Sequence, residues 1–329
     1  MIQSKLLKSI LNDDHQEAYK IWLMDENRCR ELISKSRIKN NFLRLLSKNN
    51  ELKINGLHNY LEKEKNKHQL IINFTKDISK GLDEAKVNHA IIKGPSISNI
   101  YYDNFFDRKF SDIDILVSLE DKNKFYRFLD NNNLNHKNNI ELINRIGYTR
   151  TAIEVIDSGD YVIDFHHRVI SKFHKKKCNL TVDILSSNYK SKGIKHTTHE
   201  LNLAIIVYHA CVQNNYHLDP YYLVDFDRIY NFKELNRDKL SDIMSRYNLK
   251  KHFFHCRSVI KKIRSDSLNL KESKKLFPNL QYIKPETIKT QINQILDPLP
   301  YMNIKANKKN FTYLEFLRTK FKNLMKQLA

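Results

Sequence analysis

The 329-residue chain has little of what punctuates or cross-links a fold: six glycines, six prolines, one tryptophan and four cysteines. Cys29, Cys178, Cys211 and Cys256 are scattered, with no C-x-x-C pair. That spacing excludes a disulfide framework and a zinc ribbon, and predicts free thiols in a reduced, cytoplasmic setting. No apolar run approaches the roughly 18–20 residues needed to span a bilayer. The opening stretch, MIQSKLLKSILNDDHQEAYKIW, carries acidic residues and has neither an apolar h-region nor a small-residue cleavage site, so it does not read as a signal peptide. RNP-type aromatic motifs, zinc fingers and compact arginine-rich blocks are also missing, which speaks against a dedicated nucleic-acid reader.

What is present in excess is positive charge. Fifty-seven Lys and Arg stand against 37 Asp and Glu, a formal net charge of +20. Such a field attracts polyanions, whether nucleoside triphosphates, nucleic acid or an acidic membrane surface. A chain rich in Lys, Asn and Ile and poor in Gly and Pro also has the composition that AT-rich coding imposes on any protein, so nucleic acid is a possible partner but not the favoured one. Hydrophobic residues make up 41%, enough for a real core.

Periodicity divides the chain into three regions, 1–81, 82–195 and 196–329. The first reads as helices, with apolar residues at three- and four-residue spacing in LLKSILNDDHQEAYKIWL and CRELISKSRIKNNFLRLLSKN and one long helix over about 57–85. The middle region is β-rich. VNHAIIKG reads as a strand, SISNIYYD as a short helix, SDIDILV as a strand, and EDKNKFYRFLDNNNL as a helix whose leading acids suit its dipole. RTAIEVI, DSGD and YVIDFHHRV read as a β-hairpin. From about residue 197 the chain turns helical again, with Thr198 as an N-cap. Residues 275–310 read as irregular, and TYLEFLRTKFKNLMKQL as a basic amphipathic helix packed on the helical region rather than on a membrane. The class this predicts is α+β, a small mixed sheet between two helical regions.

The chemistry concentrates in KFSDIDILV. Side chains alternate along a strand, so Asp112 and Asp114 share one face while Ile113, Ile115 and Val117 share the other. Two like charges on one face repel, and a cation offsets that repulsion. Asp164, in another β-rich run, completes a three-carboxylate set if its strand lies alongside. Oxygen ligands of this kind suit Mg²⁺, and two such ions roughly 3.5–4 Å apart serve phosphoryl chemistry. Gly94 follows a strand and opens a helix, a place where backbone approaches phosphate closely. Lys93 and Arg108 are the nearest cations able to clamp a polyphosphate.

Lys93-Gly94, Tyr101 or Tyr102, Arg108, the Asp112–Val117 block and Ile163-Asp164-Phe165-His166 follow one another in an order that resembles a bacterial family of uncharacterised nucleotidyltransferases, within the DNA polymerase β superfamily. His209, Leu223 and Asp225 match its downstream helical segment. The resemblance covers roughly residues 75–265. It implies a polymerase-β-like core and transfer of a nucleoside monophosphate from NTP to an acceptor hydroxyl. Asp112 and Asp114 would hold two Mg²⁺ ions, Asp164 would bind the catalytic one and help deprotonate the acceptor, and Gly94 and Ser96 would contact the triphosphate. Pro95 interrupts the family's usual Gly-Ser or Gly-Gly, and Ser96 lies sixteen positions before Asp112, a longer gap than in the superfamily's classical members. A small molecule, sugar or peptide is the favoured acceptor. An RNA-modifying enzyme and an inactive binding scaffold are the alternatives.

Other residues are less telling. His166 shares a face with Asp164, either to orient a ligand or as a structural histidine, and His167 points the other way. His209, Cys211 and His217 lack both helical ligand spacing and a fourth partner, so they do not make a zinc set. His209 and Asp225 read as tying helices together or lining the acceptor side of a cleft.

Overall fold

The computed structural model describes residues 2–34, 36–49, 54–110, 112–134, 152–156 (backbone), 162–169, 180–213 and 218–267. Four helices come first: α1 (Ile2–Leu11), α2 (His15–Met24), α3 (Glu26–Ser34) and α4 (Lys39–Ser47). The long helix α5 (Leu57–Glu84) leads into β1 (His89–Ile92), α6 (Gly94–Tyr101), β2 (Asp112–Val117) and α7 (Lys122–Asn131). Then come β3 (Ala152–Ile156), β4 (Val162–His166), α8 (Leu180–Ser186), β5 (Tyr189–Ser191) and β6 (Ile194–His196). Helix α9 (His199–Val207) runs on as a π-helical turn, Tyr208–Gln213, before α10 (Pro220–Tyr230), α11 (Arg237–Arg246) and α12 (Lys250–Arg264).

Among the described residues the strands form one mixed sheet, ordered β3-β4-β2-β1-β6-β5. The β1/β2, β3/β4 and β5/β6 pairs are antiparallel, and β2/β4 and β1/β6 are parallel. The class is α+β, and the expected hairpin is β3–β4. The β5–β6 hairpin was not expected. Its two strands are only three residues long and carry Lys190 and Lys195, so they give almost no alternating apolar signal. The turn itself is well specified. Lys192 (φ 49°) and Gly193 (φ 81°) both adopt positive φ, the pattern of the two-residue turn that matches strand twist.

The alternation along β2 decides what each sheet face meets. Ile113, Ile115 and Val117 join Ile91, Ile163 and Phe165 in a core against α5 and α7, with Ile71, Leu82, Phe125 and Leu129. A buried side chain of this size contributes roughly 1.5–3 kcal/mol, so this face fixes the register of β2. On the other face, Ala90, Ile92 and Leu116 belong to a second core shared with α1–α4 and α9–α12. Helices α6 and α8 lie directly on β1 and β2, and the N- and C-terminal helices share the core on the sheet face that carries the aspartates.

The first helical segment breaks where its sequence reads Asn-Asp-Asp. Asp13 takes φ 51°, and the Asp14 carboxylate accepts a hydrogen bond from the Glu17 N–H at 2.9 Å, capping α2. Short polar side chains of this type favour caps over helix interiors. Thr198 does occupy the N-cap position of α9, without a side-chain cap bond. The proline-containing segment 275–310, the basic C-terminal segment, Cys178 and His217 lie outside the described residues.

Candidate active site

The site begins at the joint between β1 and α6. Lys93 sits there with φ 53° and ψ −128°, a conformation that costs a non-glycine residue on the order of 1–3 kcal/mol. Gly94 opens the helix, and Pro95 follows in the first turn, where its missing N–H leaves no helical bond unmade. A Cβ on Gly94 would stand 3.2 Å from the Asp112 carbonyl oxygen and 3.4 Å from the Phe110 Cβ. A side chain at this position would push the start of α6 and the start of β2 apart by a few tenths of an ångström.

Across that joint the parallel register of β2 and β4 pairs Asp114 with Asp164 and Leu116 with His166. Neighbouring strands lie about 4.8 Å apart, so the two carboxylates emerge side by side on the same face. Ligand atoms of Asp114, Asp164 and His166 all lie within 4.8 Å of one another. Asp114 is buried, and its Oδ1 accepts a bond from Lys93 Nζ at 2.9 Å and lies 2.6 Å from His166 Nε2. Burial pushes the Asp114 carboxyl up. The Lys93 ammonium and the His166 hydrogen bond outweigh it, and the group ends well below the usual carboxylate range.

Two carboxylates and an imidazole within this reach fit a divalent cation. The carboxylate oxygens are the hard donors that Mg²⁺ prefers, and the imidazole broadens the set towards Mn²⁺-like ions. Because Asp114 Oδ1 already faces Lys93 and His166, a cation there either uses the second oxygen or replaces one of those contacts.

The remaining expected residues are placed as follows. Asp112 lies one side-chain pair nearer the start of β2, half-buried, and the three-residue cluster does not include it. Ser96 is buried, with its hydroxyl 2.9 Å from His196 Nδ1. Burial holds His196 down to about 4, so this pair is neutral at neutral pH. Arg108 is buried and turned towards α10, where its Nη2 meets Asp225 at 2.8 Å and its Nε donates to the same carboxylate at 2.9 Å. The Tyr102 hydroxyl donates to Asp225 as well, at 2.7 Å. Cys211 Sγ is 3.5 Å from Cys256 Sγ, a pairing of free buried thiols. His166, which alternation places on the Asp164 face, joins the cluster as a third candidate ligand beyond the expected carboxylates. His196 carries no local sequence signal, since it meets Ser96 across 100 positions.

A model of the uncharacterised nucleotidyltransferase family matches residues 23–264. The chain belongs to that family. The match takes in α3 to α12 and therefore every residue of the cluster. Comparison with curated proteins gives no match. Family membership makes the chain a transferase of phosphorus-containing groups, with a nucleotide as substrate and the Asp114–Asp164–His166 cluster as its candidate metal centre.

Proposed function

We propose that the chain moves a nucleoside monophosphate from an NTP to a hydroxyl of a small molecule, sugar or peptide, and releases pyrophosphate. The side-by-side placement of Asp114 and Asp164 beside the strained Lys93–Gly94 joint carries this reading. Backbone strain held in place by a packed surround is characteristic of functional sites.

In this reading Asp112 and Asp114 would hold Mg²⁺, with two ions expected, and Asp164 with His166 would complete the ligand set. Bound magnesium would supply Lewis-acid charge neutralisation at the phosphates. The acceptor oxygen forms a bond to the α-phosphorus, and the bond from that phosphorus to the bridging oxygen breaks, its electron pair leaving with pyrophosphate. The acceptor proton passes to the Asp164 carboxylate. Lys93, whose ammonium lies 2.9 Å from Asp114 Oδ1, would bind the triphosphate as its point charge. We assign the phosphate contacts of Gly94 and Ser96 to their backbone N–H groups at the start of α6, since the Ser96 hydroxyl is engaged by His196. Arg108 acts by fixing the entry to β2 through Asp225.

The test uses each NTP labelled at its α-phosphate, with Mg²⁺ and either a low-molecular-weight cell extract or RNA. Label should enter a small molecule with one pyrophosphate released per transfer, and Asp114→Asn should lower the rate by at least about a hundredfold. No transfer to any acceptor with any NTP would sink the proposal. The +20 charge supports a second reading, in which RNA is the acceptor. Label in RNA, with binding that falls steeply as salt rises, would establish it instead.

A further inference from the structure

A cavity of about 430 Å³ lies between α1, α10, α12 and the end of α6. Its walls differ in character. Tyr101, Val224 and Phe232 form an apolar side, and Arg228, Lys233 and Arg264 a basic one. Two acids, Asp13 and Asp227, also line it, but both are already neutralised. Asp227 accepts bonds from Arg264 at 2.9 Å and Asn231 at 3.1 Å. Asp13 accepts from Arg44 at 3.0 Å and Lys48 at 2.8 Å. Two cations are left over. Among the described residues, neither Arg228 nor Lys233 has a carboxylate within ion-pair distance, although Arg228 feels the fields of Asp107 and Asp227. The Arg228 guanidinium stacks on Tyr102 with 4.5 Å to the ring centroid, and its Nε is buried without a hydrogen-bond partner. A planar guanidinium fork beside a point charge is the pairing that receives a dianionic oxyanion.

We propose that this cavity binds a small molecule bearing a phosphate monoester on an apolar or aromatic body. A phosphate monoester carries about −1.5 to −2 charges at neutral pH, which matches two cations that have no ion-pair contact among the described residues. The volume suits one small ligand, and Tyr101 and Phe232 supply the surface for its apolar part. The site is separate from the carboxylate cluster. Tyr101 ends α6 and Gly94 begins it, and seven helical steps span about 10 Å. The inference does not depend on the reaction proposed above.

Phenyl phosphate is the probe, titrated calorimetrically into the full chain in EDTA so that no metal bridges it to the carboxylates. Binding should be saturable and tighter than for inorganic phosphate, with no binding of phenol. Arg228→Gln should weaken it about tenfold or more, as expected for loss of a charge-assisted pair. Lys233→Gln, at an exposed position that leaves the fold intact, should weaken it by at least about threefold. Asp114→Asn should leave it unchanged. Absence of saturable binding, or full affinity in both Arg228→Gln and Lys233→Gln, would overturn the proposal. So would loss of binding in Asp114→Asn alone, which would move the phosphate to the carboxylate cluster.

Discussion

Lys93 concentrates the tension of this site in one residue. Its backbone is held at φ 53° while its ammonium neutralises Asp114. The two roles separate by mutation. Lys93→Ala removes the cation and keeps the strain, and Lys93→Gly removes both. Glycine ordinarily costs roughly 0.5–1 kcal/mol relative to alanine through chain entropy. Here Lys93→Gly should be at least as stable as Lys93→Ala in urea unfolding, and a glycine variant weaker by the ordinary amount would show that the joint is not strained. At this scale much of the site was legible. Period-2 alternation alone put Asp112 and Asp114 on one face and His166 beside Asp164. What alternation could not give was depth. Asp114 sits in the cluster and Asp112 one step outside it, a distinction made by the register of β4, which sets Asp164 opposite Asp114 and Val162 opposite Asp112. The Ser96–His196 contact left no trace in local sequence, because only the fold brings those positions together.

Among the elements, the tie between Arg108 and Asp225 joins the approach to β2 to helix α10. Both side chains are buried, at 3% and 0% exposure, so either one alone is an uncompensated charge in the core. Arg108→Met should cost about 3–5 kcal/mol, whereas Arg108→Met with Asp225→Leu should recover most of it. Denaturant midpoints of the two single variants and the double variant check this. A double variant no more stable than the singles would contradict it. The sequence showed Arg108 only as a cation near two aspartates, which suggested a phosphate ligand; its partner lies 117 positions away. The strong helices, α5 above all, and the β1, β2 and β3–β4 strands were legible from apolar periodicity. Helices α1 and α2 were legible as helical but not as two, because the break rests on polar capping rather than on the apolar pattern. β5 and β6 were too short and too polar to signal.

Over the whole molecule, the buried titratable groups set a pH response with opposing parts. Burial holds His89, His167 and His196 each down to about 4. An unfolded histidine titrates near 6.5. Between those values the unfolded chain binds the extra protons, so these three stabilise fully above about pH 6.5 and lose that contribution as pH falls towards about 4. Burial also raises Asp107 and Asp219 to about 6. Their contribution runs the other way, present below the unfolded carboxylate value and lost as pH rises through about 6. Three histidines outweigh two aspartates of similar shift. Unfolding free energy should therefore rise from about pH 4.5 to 6.5, with a shallower slope in His196→Asn. A flat or falling profile would refute this balance.

No helix among the described residues is long and apolar enough to cross a membrane. A formal net charge of +20 attracts anions of any kind, and in the two proposals above it acts locally through Lys93 at the carboxylate cluster and through Arg228 and Lys233 at the second cavity. The central claim is that the aspartates of β2 and β4 exist to hold a metal-bound nucleotide. Thermal unfolding with each NTP, with and without Mg²⁺, tests it without knowledge of the acceptor. A ligand at about 100 times its Kd adds about 2.7 kcal/mol to the folded state. The account predicts a Mg²⁺-dependent rise in Tm with at least one NTP, absent in Asp112→Asn/Asp114→Asn. No rise with any NTP, or the same rise in the double variant, would contradict it.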